Sequence, residues 1–261
     1  GVTKTHLTLI DSRPEAKHEK PIEVDGQEID GGMIYGLQGK NSGNNYCFAV
    51  NSNATFTMQG GSIVSGECLN TQGNGADDYS PGGVFVLGTF NMTGGRIIGC
   101  STEVGCGGVA VGSGGEFNMS GGSIENCRAA YDGGGVYVDA GRVDPSGRFD
   151  DSPDGTFNMT GGTIKNCTAG GNGGGVYVRG TFNMTGGTIE NCTADGYGSG
   201  VYIRKTETDK WDNLYPSGTF DMTGGTITGN VFVDGDGKAT LLPGNIQGEI
   251  TGKYEEHELP A

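Results

Sequence analysis

The sequence predicts an all-β fold: a right-handed parallel β-helix, a single-stranded β-solenoid with three strands per coil and about seven to eight coils. Three observations lead there. Variants of Thr-Phe-Asn-Met-Thr-Gly-Gly-Thr-Ile-Glu-Asn-Cys recur with the phenylalanine at Phe56, Phe90, Phe117, Phe157, Phe182 and Phe220. Variants of Gly-Gly-Gly-Val-Tyr-Val recur around Val84, Val109, Val136, Val176 and Val201. Within each phrase apolar and polar residues alternate with period two, and glycines break the runs, as in half-buried strands joined by tight corners. A short unit of this kind cannot bury its apolar face alone, so copies must stack.

The most regular coil runs from Gly173 to Gly196, one repeat of 25 residues from Phe157 to Phe182. Its first strand is Val176–Val178. The second, Thr181–Thr185, sends Phe182 and Met184 inward and Thr181, Asn183 and Thr185 outward. The third, Thr188–Asn191, buries Ile189. Gly173–Gly175 and Gly186–Gly187 supply corners, since glycine tolerates positive φ and close backbone approach. Cys100, Cys127, Cys167 and Cys192 share one repeat position, three residues after an isoleucine. Rungs about 4.8 Å apart with parallel side chains do not suit a disulfide, so this ladder is expected to be buried free thiol. The position after the ladder isoleucine reads Glu125, Lys165, Glu190, alternating in sign between neighbouring rungs.

Composition narrows the function classes. Gly numbers 54 of 261 residues without the every-third-residue period of collagen, and 33% hydrophobic content suits a thin solenoid. Ordered Phe, Met, Ile and Val positions argue against disorder. A net charge of −15 disfavours nucleic acid as a partner. No apolar run is long enough for a membrane span, so no membrane insertion is expected. Residues 1–20 are too polar for the apolar part of a secretory signal, which implies that any signal has been removed. Seven cysteines, an odd number, exclude complete intrachain pairing. Buried free thiols in a secreted chain suggest an anaerobic habitat.

The repeat pattern divides the chain into an N-terminal cap with a first degenerate coil (1–30), the β-helix repeats (31–230), and a last coil with a C-terminal tail (231–261). Val231-Phe232-Val233 fills the valine slot of that last coil, and the tail from Glu255 has nothing to pack against. Insertions fall at 69–81, 139–155 and 204–218. Long loops on a rigid scaffold are where function concentrates.

The Gly-Gly-Gly-Val-Tyr-Val and Thr-Phe-Asn-Met-Thr-Gly-Gly-Thr-Ile phrases resemble the β-helical repeats of adhesin-like surface proteins of anaerobic Gram-positive bacteria. The opening, Leu7-Thr8-Leu9-Ile10-Asp11-Ser12 through Ala16-Lys17-His18 and then Gly31-Gly32-Met33-Ile34-Tyr35-Gly36, is similar to the segment leading into such repeats. The resemblance covers roughly residues 5–230. It implies a secreted module at the cell surface or attached to the cell wall, facing host or dietary glycans, and carries over no catalytic residues.

Successive valine strands place Phe85, Ala110, Tyr137, Tyr177, Tyr202 and Phe232 at their outward position. Tyr137, Tyr177 and Tyr202 are expected to form a flat strip for sugar stacking, with Trp211 from an insertion beside it. Asp139, Arg179 and Arg204 would hydrogen-bond sugar hydroxyls. Against this stands a structural role, in which the tyrosines only stabilise the ladder beneath the insertions. The outward Thr-Asn-Thr face is regular enough for an ice-binding array, but Glu116 and Asp221 interrupt it, and Thr favours strands regardless.

Acidic turns at Asp77-Asp78, Asp150-Asp151 with Asp154, and Asp234-Gly235-Asp236-Gly237 default to solvated turns. Calcium is the one cofactor they would admit, and none completes a calcium loop. The cysteines lack metal spacing. Polysaccharide lyases and hydrolases use this fold, yet the histidines (His6, His18, His257) lie near the ends and no catalytic signature is present. The sequence therefore points to a monomeric, non-catalytic extracellular module, with a polysaccharide-active enzyme and a purely structural spacer as the alternatives. Seven Asn-x-Ser/Thr sequons are by-products of the repeat.

Overall fold

The structure, a computed structural model, describes residues 5–9, 23–24, 27–28, 33–36, 48–65, 67–68, 81–103, 105–141, 153–208 and 214–257. Among these the chain is a parallel β-helix, with one 3-10 turn at Pro243–Asn245 as its sole helical element. The valine strands form an eight-stranded parallel sheet from Phe48–Val50 through Val136–Val138, Val176–Val178 and Val201–Ile203 to Ile250–Thr251. The phenylalanine strands pair in the same order, from Thr5–Leu9 on Ala54–Met58 to Lys238–Leu241 on Thr219–Thr228.

Register is like on like. Phe117 opposes Phe157 and Asn118 opposes Asn158; Tyr137 opposes Tyr177 and Val138 opposes Val178; Ile164 opposes Ile189. The phenylalanines build a continuous column from Phe56 to Phe220, with neighbouring ring centroids 4.6–5.1 Å apart. That spacing is one strand separation, so the stacking distance is imposed by the ladder hydrogen bonds. Methionines, isoleucines, valines and the four ladder cysteines fill the rest of one narrow core. The cysteines are free and buried, as expected. Their Sγ–H groups donate to the carbonyl two residues back, at 3.3 Å for Cys167 on Lys165 and 3.4 Å for Cys192 on Glu190.

The coil differs from the expected three strands and glycine corners in two respects. In the coil of Gly173–Gly196, Thr181–Glu190 is a single strand bent at Gly187 (φ +86°). A short additional strand follows the cysteine, as in Arg128–Ala129, Thr168–Ala169 and Thr193–Ala194. The corner between isoleucine and cysteine is turned by an asparagine in the left-handed region: Asn126, Asn166 and Asn191 have φ of 55°, 55° and 53°. Asparagine tolerates this conformation better than other side-chain-bearing residues.

The outward faces carry their own ladders. Asn118, Asn158 and Asn183 each donate a side-chain N–H to the amide oxygen of the preceding rung, at 3.1, 2.9 and 2.8 Å. Glu125 accepts from Arg96 at 2.5 Å and pairs with Lys165 at 3.2 Å. The described start of the C-terminal tail pairs with the helix, where the sequence reading left it nothing to pack against. Glu255–Glu256 adds a parallel rung to Lys238–Leu241, and His257 Nε2 lies 2.6 Å from Asp221 Oδ1. The edge strand thus ends in charge, which discourages further pairing.

Candidate functional site: the tyrosine column at the roots of two insertions

The expected tyrosine strip exists as a column. Tyr137 and Tyr177 stack at 4.9 Å and 9°, Tyr177 and Tyr202 at 5.1 Å and 16°, and Tyr202 and Phe232 at 5.6 Å and 3°. It is not an open platform, however. Tyr137, Tyr177 and Tyr202 are 5%, 4% and 7% exposed. Their faces are consumed by one another, and the chain's own corner closes over them.

That closure follows from the first glycine of the Gly-Gly-Gly-Val-Tyr-Val phrase. Gly133, Gly173 and Gly198 have φ of 73°, 68° and 64°, so the corner folds back onto the tyrosine four residues later. A Cβ on Gly173 would lie 2.7 Å from the Val176 carbonyl oxygen and 2.8 Å from Tyr177. The rung lacking the tyrosine supports the same reading. There Ala110 replaces it, the equivalent corner residue is Cys106, and the two share one buried cluster with the tyrosines. Sulfur occupies space that the ring leaves vacant, and its Sγ–H donates to the Val109 carbonyl at 3.1 Å. Burial pushes the Cys106 thiol well up, so it stays protonated.

The polar members of the predicted site lie along the side of the column where two insertions leave the valine strands, one at the Tyr137 rung and one at the Tyr202 rung. Arg179, 4% exposed, donates from Nη1 to the Tyr137 hydroxyl at 3.0 Å and lies 3.4 Å from Asp139 Oδ1. Its guanidinium carbon sits 4.4 Å from the ring centroid of Tyr215, which the 204–218 insertion brings back over it. Arg204 pairs with Glu207 inside the same insertion. The Tyr202 hydroxyl donates to Asp234 Oδ2 at 2.9 Å, and burial with this bond pushes its phenol well up. Trp211, Asp77-Asp78 and Asp150-Asp151 lie outside the described residues.

Both insertions are spliced in without disturbing the rungs. The Gly155 N–H donates to the Asp139 carbonyl at 2.9 Å, and the Gly218 N–H to the Arg204 carbonyl at 2.8 Å, so each excursion closes on itself. Asp154 accepts from the Gly141 N–H at 2.7 Å. Burial raises the Asp139 carboxyl to about 6, against the attraction of Arg179, and the Asp154 charge adds to the rise. A raised carboxyl beside a second carboxylate is an arrangement hydrolases use. Here Asp139 Oδ1 is engaged by Arg179 and by the Ala140 N–H at 3.0 Å, an anchoring role for the insertion root.

The carboxylates of Asp234-Gly235-Asp236-Gly237 are likewise occupied. Asp234 lies 3.8 Å from Lys205, and Asp236 takes the Thr206 N–H at 2.7 Å and hydroxyl at 2.6 Å. Among the described residues no group of three or more His, Cys, Asp or Glu side chains is placed to hold a metal ion. No helix among them is long and apolar enough to cross a membrane.

Two surface residues escaped the sequence reading. Tyr131 and Tyr197 are 62% and 61% exposed, on the turn after the short strand. The signal for Tyr197 lies in the position five residues after the ladder cysteine, which reads Asp132, Asn172 and Tyr197 in successive coils, and Tyr131 stands one position earlier, four residues after Cys127. No family model, no curated protein and no solved structure matches this chain.

Proposed function

We propose that this chain is a non-catalytic, adhesin-like extracellular module whose β-helix serves as a rigid shaft presenting surface features toward glycans. The observation behind this reading is the burial of the aromatic column together with the pairing of Arg179, Asp139, Tyr137 and Tyr202 at the insertion roots. Chemistry-bearing side chains there are spent on holding the shaft and its insertions together. The added lengths at 139–155 and 204–218 are taken up by excursions that close at their base, the arrangement a display scaffold requires. A shaft of eight rungs spans roughly 35–40 Å at one strand spacing per rung.

The test is incubation with a panel of plant and host polysaccharides, following reducing-end release and unsaturated-uronate absorbance alongside binding. Binding without turnover is expected. A second reading, a polysaccharide-active enzyme, draws on the raised Asp139 carboxyl next to Asp154. Turnover abolished by Asp139→Asn would replace the display reading with that one.

A further inference from the structure

The short strands fix a small feature on the outer edge of three consecutive rungs. Ala129, Ala169 and Ala194 align in register. Two residues on, the Gly171 N–H donates to the Tyr131 carbonyl at 2.6 Å and the Gly196 N–H to the Gly171 carbonyl at 2.8 Å. Tyr131 therefore stands one rung before Gly171, and Tyr197 one rung after Asn172. The tyrosines are about 9.6 Å apart along the axis at one strand spacing per rung. They are the two most exposed large hydrophobic residues among those described. Between them lie Gly170 and Gly171, where no side chain fits: a Cβ would meet the Ala130 carbonyl oxygen at 2.3 Å and Asp132 Oδ1 at 2.4 Å.

The edge is rigid. Asp132 Oδ1 accepts from the Asn172 backbone N–H at 2.7 Å and from its side-chain N–H at 3.3 Å, and Asn172 Oδ1 accepts from the Tyr197 N–H at 2.8 Å. The Tyr197 ring rests on Phe232 at 4.5 Å and 25°, the residue that prolongs the buried tyrosine column. Fixing an exposed aromatic ring in advance lowers the ordering cost of any ligand stacked on it. Hydroxyls and charges that can meet a polar ligand lie on or just after the same short strands: Thr193 bonds Thr168 at 3.2 Å, and Arg128 and Asp195 are exposed.

We propose that Tyr131 and Tyr197, with the bare backbone of Gly170–Gly171 between them, form a stacking ledge for a neutral glycan chain. This deepens the display reading and rests on it. Pyranose rings offer apolar C–H faces to aromatic rings and hydroxyls to the flanking polar groups. Acidic polymers are disfavoured, because Asp132 and Asp195 border the ledge and the whole chain carries a net charge of −15.

Native electrophoresis through gels cast with hydroxyethylcellulose, xyloglucan or galactomannan, and with polygalacturonate for comparison, tests the ledge. Retardation is expected in at least one neutral gel and not in polygalacturonate. Tyr131→Ala and Tyr197→Ala should each weaken it by roughly tenfold, as loss of one aromatic stacking contact does, with Tyr131→Phe restoring it and Tyr254→Ala without effect. No retardation in any neutral gel, retardation only in polygalacturonate, or undiminished retardation in the Tyr131→Ala/Tyr197→Ala double variant each overturns the ledge. In that last case, loss of retardation on shortening 142–152 would transfer recognition to an insertion and leave the display reading intact. Turnover of the polysaccharides, by contrast, overturns the display reading itself.

Discussion

Replacing Tyr177 by alanine separates a buried column from an open sugar platform. Tyr177 is 4% exposed, with rings stacked on both faces at 4.9 and 5.1 Å. Truncating a buried aromatic residue leaves a cavity and costs about 3–5 kcal/mol, and the two lost stacking contacts fall within that range. A solvent-facing tyrosine would cost no more than about 0.5 kcal/mol. Tyr177→Phe keeps the ring and both stacks and should stay within about 1 kcal/mol of the wild type. Equilibrium urea denaturation followed by circular dichroism measures all three proteins. Repeat proteins can unfold in parts, so the midpoint of the final transition is compared. Tyr177→Ala and Tyr177→Phe both within 0.5 kcal/mol of the wild type would refute the burial argument.

Other outcomes follow from neighbouring features. Gly173→Ala should lose roughly 2–4 kcal/mol in the same assay, combining the left-handed backbone at φ +68° with a Cβ placed 2.7 Å from a carbonyl oxygen. Asp139, raised from 3.8 to about 6, binds more protons folded than unfolded over that interval, so its contribution to stability falls as pH rises from about 4 to 6, by at most about 3 kcal/mol. Asp139→Asn should remove that fall from a stability–pH profile. Glu125 slopes the opposite way: burial pushes its carboxyl up, but Arg96 and Lys165 outweigh it and hold it below its ordinary 4.5. Its contribution is present above that value and lost as pH drops through the folded one, so Glu125→Gln should flatten the acid limb. Of seven cysteines, five are buried and free, so no more than two should react with a bulky thiol reagent before urea is added.

Much of the fold is legible in the sequence because the repeat is a register written out. Once Phe157 and Phe182 occupy the same slot, Asn158 over Asn183 and Ile164 over Ile189 follow from period-two alternation alone. The outward position of Tyr177 is legible too, but its burial is not. Burial depends on the sign of φ at Gly173, and a glycine in a sequence is equally compatible with a flat or a folded-back corner. The exchange of Gly133 and Tyr137 for Cys106 and Ala110 was the available clue, since a larger corner residue accompanies a smaller strand residue. Asn191 reads as the last residue of the strand Thr188–Asn191, whereas it and its counterparts Asn126 and Asn166 turn a corner. Tyr131 and Tyr197 went unnoticed because they occupy adjacent repeat positions, one residue out of step, and no column joins them.

Like side chains lying over one another at a single rung spacing underlie the whole account, and pyrene excimer fluorescence tests it most directly. Asn158→Cys with Asn183→Cys labels two outward positions in direct register, and Asn118→Cys with Asn183→Cys labels positions two rungs apart. Strong excimer emission from the first pair and weak emission from the second is the predicted result. A one-residue slip would turn one site of the adjacent pair into the core. Absence of excimer from the adjacent pair, or equal emission from both, would contradict the stacked register.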